Sequence, residues 1–141
     1  MPYREKTALL TLVAIVITFG PYFAIVASGT FGADPLPNLR QLGFFAAVAI
    51  AQMIVFGLGH FYLRQQSPED ARTPLDERDL GIMRRSVTFA YYVLIVGMIL
   101  VGCVMPFHSS GWTIVNAALF MIVVSEIVHY AVVVVSYRRQ I

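Results

Sequence analysis

Four long apolar stretches, separated by polar connections, set the pattern of hydrophobic and polar positions along this chain. They occupy residues 8–28, 42–63, 87–105 and 112–135. Each is close to the roughly 20 apolar residues that a helix needs to cross the hydrocarbon of a bilayer. The pattern therefore predicts an all-α membrane protein, a single domain folded as a four-transmembrane-helix bundle.

The second connection, residues 64–86, is the one long and charged segment between these stretches. Ser67-Pro68 and Thr73-Pro74 each place a hydroxyl residue before proline, with an acidic residue three positions after the hydroxyl. This arrangement is typical of helix starts. From Thr73 the helical pattern continues without a break into the third apolar stretch. We therefore expect the third membrane helix to begin near Thr73 and to extend out of the bilayer.

Composition supports a bilayer as the solvent of this chain. Of the 141 residues, 58% are hydrophobic and 13% are charged, whereas about a quarter of the residues in soluble domains are charged. A chain this short has too little interior to bury so many apolar side chains away from water.

The distribution of charge predicts the orientation. With four spans, nine of the ten Lys and Arg residues fall on one side of the membrane: Arg4, Lys6, Arg64, Arg72, Arg78, Arg84, Arg85, Arg138 and Arg139. Arg40 falls on the other side. Because cytoplasmic loops are enriched in Lys and Arg, we expect both termini and residues 64–86 in the cytoplasm (N-in/C-in). Three or five spans would scatter these cations over both sides.

The first apolar stretch also has features of a secretory signal peptide, with Arg4 and Lys6 before it and small residues near its end. However, its run of about 21 residues exceeds the 7–15 residues of a typical signal-peptide core. Gly20-Pro21 also interrupts it. We interpret it as a retained membrane helix.

An acidic residue within the fourth apolar stretch is the most informative polar position. Glu126 lies nine or ten residues from the cytoplasmic end of the stretch, which corresponds to a depth of roughly 14 Å. A carboxylate at that depth costs several kcal/mol unless it is neutral, paired or hydrated. His129 and Tyr130 follow at i+3 and i+4, on nearly the same helix face. We expect Glu126 and His129 to form an inward-pointing pair.

Other polar residues fall in the same half of the membrane. His60 and Gln52 lie on the second stretch, and Tyr91 lies at the start of the third. Antiparallel packing is expected to bring His60, Tyr91 and His129 to neighbouring depths. The candidate ligand or proton site therefore comprises Glu126, His129, Tyr130, His60, Gln52 and Tyr91.

Several interpretations of this set are open. A protonated Glu126 could fix the bundle through hydrogen bonds, or the set could respond to protons or to a ligand. A Glu-x-x-His pair also occurs in di-iron bundles, but those sites need two such pairs and two further carboxylates. Haem ligation by His60 and His129 would require both imidazoles at one depth. We predict no metal, no other cofactor and no catalytic residue.

Small residues recur every four positions on the second stretch, at Gly43, Ala47 and Ala51. Such a stripe allows two helix backbones to approach closely in a membrane. It is compatible with a contact inside the bundle and with a homodimer.

The cytoplasmic segment carries a second candidate surface. An acidic cluster lies in the first turns of the predicted third helix, where negative charge is favourable against the helix dipole. It forms either a capped helix end or a docking surface for a cytoplasmic partner, composed of Asp76, Glu77, Arg78 and Asp79. Arg84 and Arg85 follow where lipid headgroups begin and can bind anionic phosphate.

The run Asp76-Glu77-Arg78-Asp79, with Ile82 and Ala90-Tyr91-Tyr92 after it, resembles a family of uncharacterised small bacterial membrane proteins. Their shared feature is a D-E-R-D/E motif just before a transmembrane helix. The resemblance covers residues 74–104. It implies a multi-pass protein of the bacterial inner membrane with no assigned chemistry, and no residue role transfers. Genes of that type often lie beside small helix-turn-helix regulators, which implies a cytoplasmic regulatory protein as partner.

These features lead to three functional hypotheses. The first is a non-enzymatic sensor or binding protein with a buried polar cluster around Glu126, which presents residues 64–86 to a partner and has no direct contact with nucleic acid. The second is a small oligomeric proton-coupled transporter or channel subunit that uses Glu126. Small oligomeric exporters use one intramembrane glutamate in this way, although theirs normally lies in the first helix. The third, a membrane glutathione transferase-like enzyme, lacks the polar motif expected in the second helix.

Reporter fusions test the predicted orientation. Because nine cations favour the cytoplasmic side, a cytoplasm-dependent reporter should be active after Ile141 and near Ala71. A reporter at Asn38 or Ser110 should behave as periplasmic. Cytoplasmic activity of the Ser110 fusion would contradict the four-span arrangement.

Overall fold

The computed structural model describes residues 1–29, 38–109 and 111–139, and no strand occurs among them. Five α-helices follow in the order α1 (Tyr3–Ala27), α2 (Leu39–Gln66), α3 (Pro68–Arg72), α4 (Glu77–Ile99) and α5 (Trp112–Arg138). A π-helical turn at Leu100–Val104 and a 3-10 turn at Met105–Phe107 continue α4. Most of the first connection, where the sequence places several Gly and Pro residues, lies outside the described residues.

Four of the helical segments are long and apolar enough to cross a membrane. They are Tyr3–Ala27, Leu39–Gln66, Glu77–Phe107 and Trp112–Arg138, with mean hydropathies of 2.1 to 2.4. The prediction of a helical membrane protein with four such segments is confirmed at this level. Each helix also extends beyond the apolar stretch from which it was predicted.

The start of α4 differs from the sequence-based prediction. Asp76 caps the helix, because its carboxylate accepts a hydrogen bond of 2.7 Å from the backbone N–H of Asp79. Thr73, where the helix was expected to begin, has extended backbone before Pro74. Its hydroxyl instead donates to the carbonyl of Glu69, 3.0 Å away, at the end of α3. The helical extension outside the apolar stretch is therefore present, but it begins at Glu77.

The long helices pack in series rather than around a closed ring. Helix α1 packs against α2 on one side and α5 on the other, and α5 packs most extensively against α4. Within the described parts of the chain, α2 has no extensive contact with α4 or α5. The spatial order is therefore α2, α1, α5, α4. This order leaves a groove between α2 and α5, with α1 as its floor.

Small and polar side chains join the two central helices to α4. The hydroxyl of Ser125 on α5 donates to the carbonyl of Ala90 on α4 over 2.9 Å. The Met121 side chain packs directly against Gly97 and fills the space that a Cβ atom would occupy at that position. Close approach at glycine and hydrogen bonds across helices stabilise membrane bundles, where lipid provides no hydrophobic drive between helices.

The contacts of α1 also combine buried hydroxyl groups with aromatic rings. Tyr22, which is 1% exposed, donates a hydrogen bond of 3.3 Å to the Asn116 side chain on α5. On the other side, the Thr18 hydroxyl donates to the Gln52 side-chain oxygen on α2 over 2.7 Å. The sequence predicted a site role for Gln52. In the structure, its oxygen fixes α2 against α1.

The small-residue stripe on α2 makes no close contact with the other described helices. Gly43, Ala47 and Ala51 are all exposed. A Cβ atom added to Gly43 would meet nothing within 4 Å. Of the two interpretations, the intramolecular contact is therefore not observed among the described helices, and the homodimer stays a prediction.

Candidate functional site

One end of the molecule brings together the beginning of α1, the beginning of α4 and the end of α5. The Arg4 guanidinium lies 3.1 Å from one carboxylate oxygen of Asp79, as an ion pair. The Tyr137 hydroxyl donates to the other oxygen over 2.5 Å. Arg4 also donates to the carbonyl of Thr73 over 2.9 Å. We call Arg4, Asp79 and Tyr137 the Asp79 junction.

A second ion pair at the same end joins the two ends of the chain. The Glu5 side chain is only 4% exposed, and its carboxylate accepts a hydrogen bond of 3.1 Å from Arg138 Nε. A buried carboxylate without a partner would be costly, so Arg138 compensates for its desolvation. The pair binds the first turn of α1 to the last turn of α5.

These contacts change the interpretation of the predicted docking surface. Asp76 is the cap of α4, and Asp79 has 15% of its side chain exposed because it bonds to α1 and α5. The Arg78 guanidinium lies 5.9 Å from the ring centroid of Tyr137. Glu77 is exposed. The two aspartates therefore have roles inside the fold, and docking stays a prediction that depends on Glu77 and Arg78.

The two arginines assigned to lipid headgroups lie further along α4. Arg84 and Arg85 are both exposed, and the Arg85 guanidinium lies 5.8 Å from the Phe89 ring centroid. Their binding to anionic phosphate stays a prediction.

A cavity of about 280 Å³ adjoins the Asp79 junction, and we call it the end cavity. Its lining comes from α1, α2, α4 and α5 and includes both imidazoles named from the sequence. The polar and aromatic members of the lining are Tyr3, Arg4, Thr7, His60, Asp79, His129, Tyr130 and Tyr137. His60, His129 and Tyr130 therefore line one cavity.

The two imidazoles have different surroundings. The His60 ring packs against Phe56 in a tilted arrangement, with centroids 4.0 Å apart, and its Nε2 lies 3.4 Å from the Thr11 hydroxyl. His129 packs edge-on against Tyr130, with centroids 4.8 Å apart. Within residues 1–29, 38–109 and 111–139, neither His129 nor Tyr130 has a side-chain hydrogen bond to another protein group. Their polar atoms are thus available to a ligand in the cavity.

The expected inward-pointing pair of Glu126 and His129 is wrong. Glu126 is exposed and lines the groove between α2 and α5, together with Gln52 and Tyr130. His129 faces the end cavity instead. The cause is the serial packing of the helices, which leaves this face of α5 without a neighbouring helix. The predicted cluster is therefore divided between two sites, and Tyr130 lines both.

Tyr91 does not belong to either site. Its side chain is 57% exposed, and its ring packs edge-on against Tyr92 with centroids 5.9 Å apart. Helix α4 contacts α5 through a different face, at Ala90 and Gly97. The expectation that Tyr91 would join His60 and His129 is wrong for this reason.

No group of three or more His, Cys, Asp or Glu side chains in the described segments is arranged to hold a metal ion. No protein-family model, curated protein or solved structure matches the chain. The interpretation of both sites therefore depends on their geometry and chemistry.

Sequence reasoning missed the Asp79 junction and the pair of Glu5 with Arg138. A signal for both was present, because the four-span arrangement places the two termini and residues 64–86 on one side. Opposite charges at equal depth on neighbouring helices could therefore have been paired. The pairing of Tyr137 with Asp79 had no comparable signal, since tyrosine is common at membrane interfaces.

Replacement of Asp79 by Asn should lower the free energy of unfolding by about 1 kcal/mol, because it removes the charge that Arg4 and Tyr137 share. The matched control is Glu77→Gln, which removes one carboxylate from the exposed surface of the same helix turn and should lower stability by only about 0.3 kcal/mol, through the helix dipole. Thermal unfolding of purified protein in detergent measures both. Equal stability of the two variants would contradict a structural role of the junction.

Proposed function

We propose that the chain is a non-enzymatic binding protein of the bacterial inner membrane that senses a small ligand in the end cavity. It would pass the presence of that ligand to the cytoplasmic segment, residues 64–86. One observation carries the proposal: Asp79 belongs to that segment, lines the end cavity and is held by Arg4 and Tyr137. A ligand in the cavity and a partner at the segment therefore act on the same residue.

The proposed orientation has two supports. The Asp79 junction and the Glu5–Arg138 pair bring both ends of the described chain to the same end of the molecule as residues 64–86. That end carries nine of the ten Lys and Arg residues, as the cytoplasmic side of a membrane protein does. Both arguments favour a cytoplasmic location for the termini and the segment.

The coupling has a simple physical form. A ligand that interacts differently with the intact and the broken Asp79 junction shifts the balance between the two states. A coupling free energy of about 1–3 kcal/mol is typical of such systems, and it is comparable to the strength of one partly buried ion pair with its hydrogen bonds. Because Asp79 lies in the first turn of α4, loss of its bonds to α1 and α5 frees the start of that helix.

The partner surface in this proposal is the exposed part of the segment. Glu77 and Arg78 would contact a cytoplasmic regulatory protein, while Arg84 and Arg85 hold the helix at the lipid headgroups. The homodimer predicted from the α2 stripe would double this surface. It would leave the end cavity unchanged, because Gly43 and Ala47 lie in the first half of α2 and His60 lies in the second half.

Native mass spectrometry of the protein from its own membrane tests the binding function. Wild type should carry a bound small molecule, and the double variant His60→Phe, His129→Phe should lose it, because both imidazoles line the cavity. Tyr91→Phe, which changes an exposed polar ring outside the cavity, should keep it. A wild-type protein with no bound molecule, or equal retention by all three proteins, would contradict the proposal.

A second candidate function is a proton-coupled transporter or channel subunit. The observation in its favour is the exposed Glu126 carboxyl in a groove that opens sideways between α2 and α5. An acid in that position can exchange protons or cations with a mobile substrate, as intramembrane acids in transporters do.

Flux in liposomes tests this second function. If Glu126 couples transport to protons, Glu126→Gln should abolish proton-coupled flux as completely as Glu126→Leu, although Gln preserves the shape of the side chain. If Glu126 only donates or accepts hydrogen bonds, the Gln variant should keep its activity. Absence of flux from the wild type would exclude transport and leave the sensing proposal standing.

A further inference from the structure

The groove between α2 and α5 has a lining that points to a ligand class. Its volume is about 410 Å³, within the range of roughly 300–1,000 Å³ that small-molecule sites occupy. Helix α1 forms the floor, and α2 and α5 form the walls. Its polar and aromatic lining includes Phe19, Phe45, Gln52, Phe56, Glu126 and Tyr130.

Glu126 is the charged group of the groove, and the described chain supplies nothing to compensate for it. No salt bridge or hydrogen bond of its carboxyl to another residue occurs in residues 1–29, 38–109 and 111–139. The four apolar stretches contain no Lys or Arg. Because an uncompensated carboxylate near the bilayer midplane costs several kcal/mol, a cation from outside the chain gains from binding beside it.

Aromatic rings surround the remaining space. The rings of Phe19 and Phe45 contact each other across the α1–α2 interface at an angle of 44°, with centroids 5.9 Å apart. Phe56 lines the α2 wall, and Tyr130 lines the α5 wall beside Glu126. The faces of such rings attract positive charge, and more strongly where water is excluded. An organic cation with apolar substituents therefore complements both the aromatic walls and the carboxylate.

The same lining disfavours inorganic cations. Ca²⁺ and Mg²⁺ require about six oxygen ligands, several of them from water or carboxylates. The groove offers one carboxylate and the hydroxyl of Tyr130. Two further side-chain oxygens of its lining are engaged within the fold, because Gln52 Oε1 accepts from Thr18 and the Thr11 hydroxyl donates to the Thr7 carbonyl over 2.9 Å. A small hydrated ion would lose more solvation in this groove than the lining replaces.

We propose that the groove is a binding site for a hydrophobic organic cation, whose charge pairs with Glu126 and whose apolar groups pack against Phe19, Phe45 and Phe56. The site adjoins the end cavity and shares Tyr130 with it, but binding of a cation there does not depend on the sensing function. Binding also requires no transport, because a cation that enters the groove from the bilayer compensates for the charge of the carboxylate by itself.

Tetraphenylphosphonium is a suitable probe, because tetraphenylborate matches its size and shape with the opposite charge. Wild-type protein in detergent, examined by equilibrium dialysis, should bind the cation in preference to the anion. Glu126→Gln should weaken binding of the cation at least tenfold. Glu69→Gln, which changes an exposed carboxylate outside the groove, should bind as wild type does. Equal binding by wild type and Glu126→Gln would show partition into detergent only and would overturn the proposal.

A second measurement uses wild-type protein and does not depend on the folding of a variant. Dicyclohexylcarbodiimide, a hydrophobic reagent for carboxyl groups, should label Glu126, and tetraphenylphosphonium should protect it several-fold more than tetraphenylborate does. Peptide mass spectrometry locates the label. A second copy seated in the groove would leave Glu126 unlabelled and the cation unbound, and this result would also overturn the proposal.

Discussion

The bonds of the Asp79 carboxylate to Arg4 and Tyr137 hold together three helices that are distant in sequence. In lipid, apolar helix surfaces gain little from contact with one another, so polar contacts and close packing determine the arrangement. The junction and the Glu5–Arg138 pair anchor the first turn of α1 between α4 and α5 at the charged end. Since α1 is the helix on which α2 packs, the position of α2 also depends on this anchor.

The serial order of the helices follows from where the polar contacts lie. Helix α1 bonds to α2 through Thr18 and Gln52 and to α5 through Tyr22 and Asn116, so it occupies the centre. No residue in the apolar window of α2 is buried by the rest of the described chain. In a membrane, lipid or another protein must cover that surface. The groove that Glu126 lines exists because α2 is packed along one side only, against α1.

Much of the fold was predictable from hydropathy, since four apolar stretches and a one-sided distribution of cations indicate four helices with a charged end. The i+3 and i+4 spacing also placed His129 and Tyr130 on neighbouring faces. The orientation of Glu126 was not predictable, because α5 is apolar on nearly all sides and periodicity therefore distinguishes no buried face. Likewise the motif at Asp76 and Asp79 indicated a helix cap, but local sequence contains no information about Arg4 and Tyr137 as partners.

The two sites are physically adjacent, and this has a thermodynamic consequence. Tyr130 lines both the groove and the end cavity, and its ring packs on His129. Thr11, in the groove, lies 3.4 Å from His60, in the cavity. If a ligand moves either contact it changes the shape of both sites, and each site then alters the affinity of the other by the same factor. The serial packing of the helices therefore divides the polar cluster between two adjoining sites that share one tyrosine.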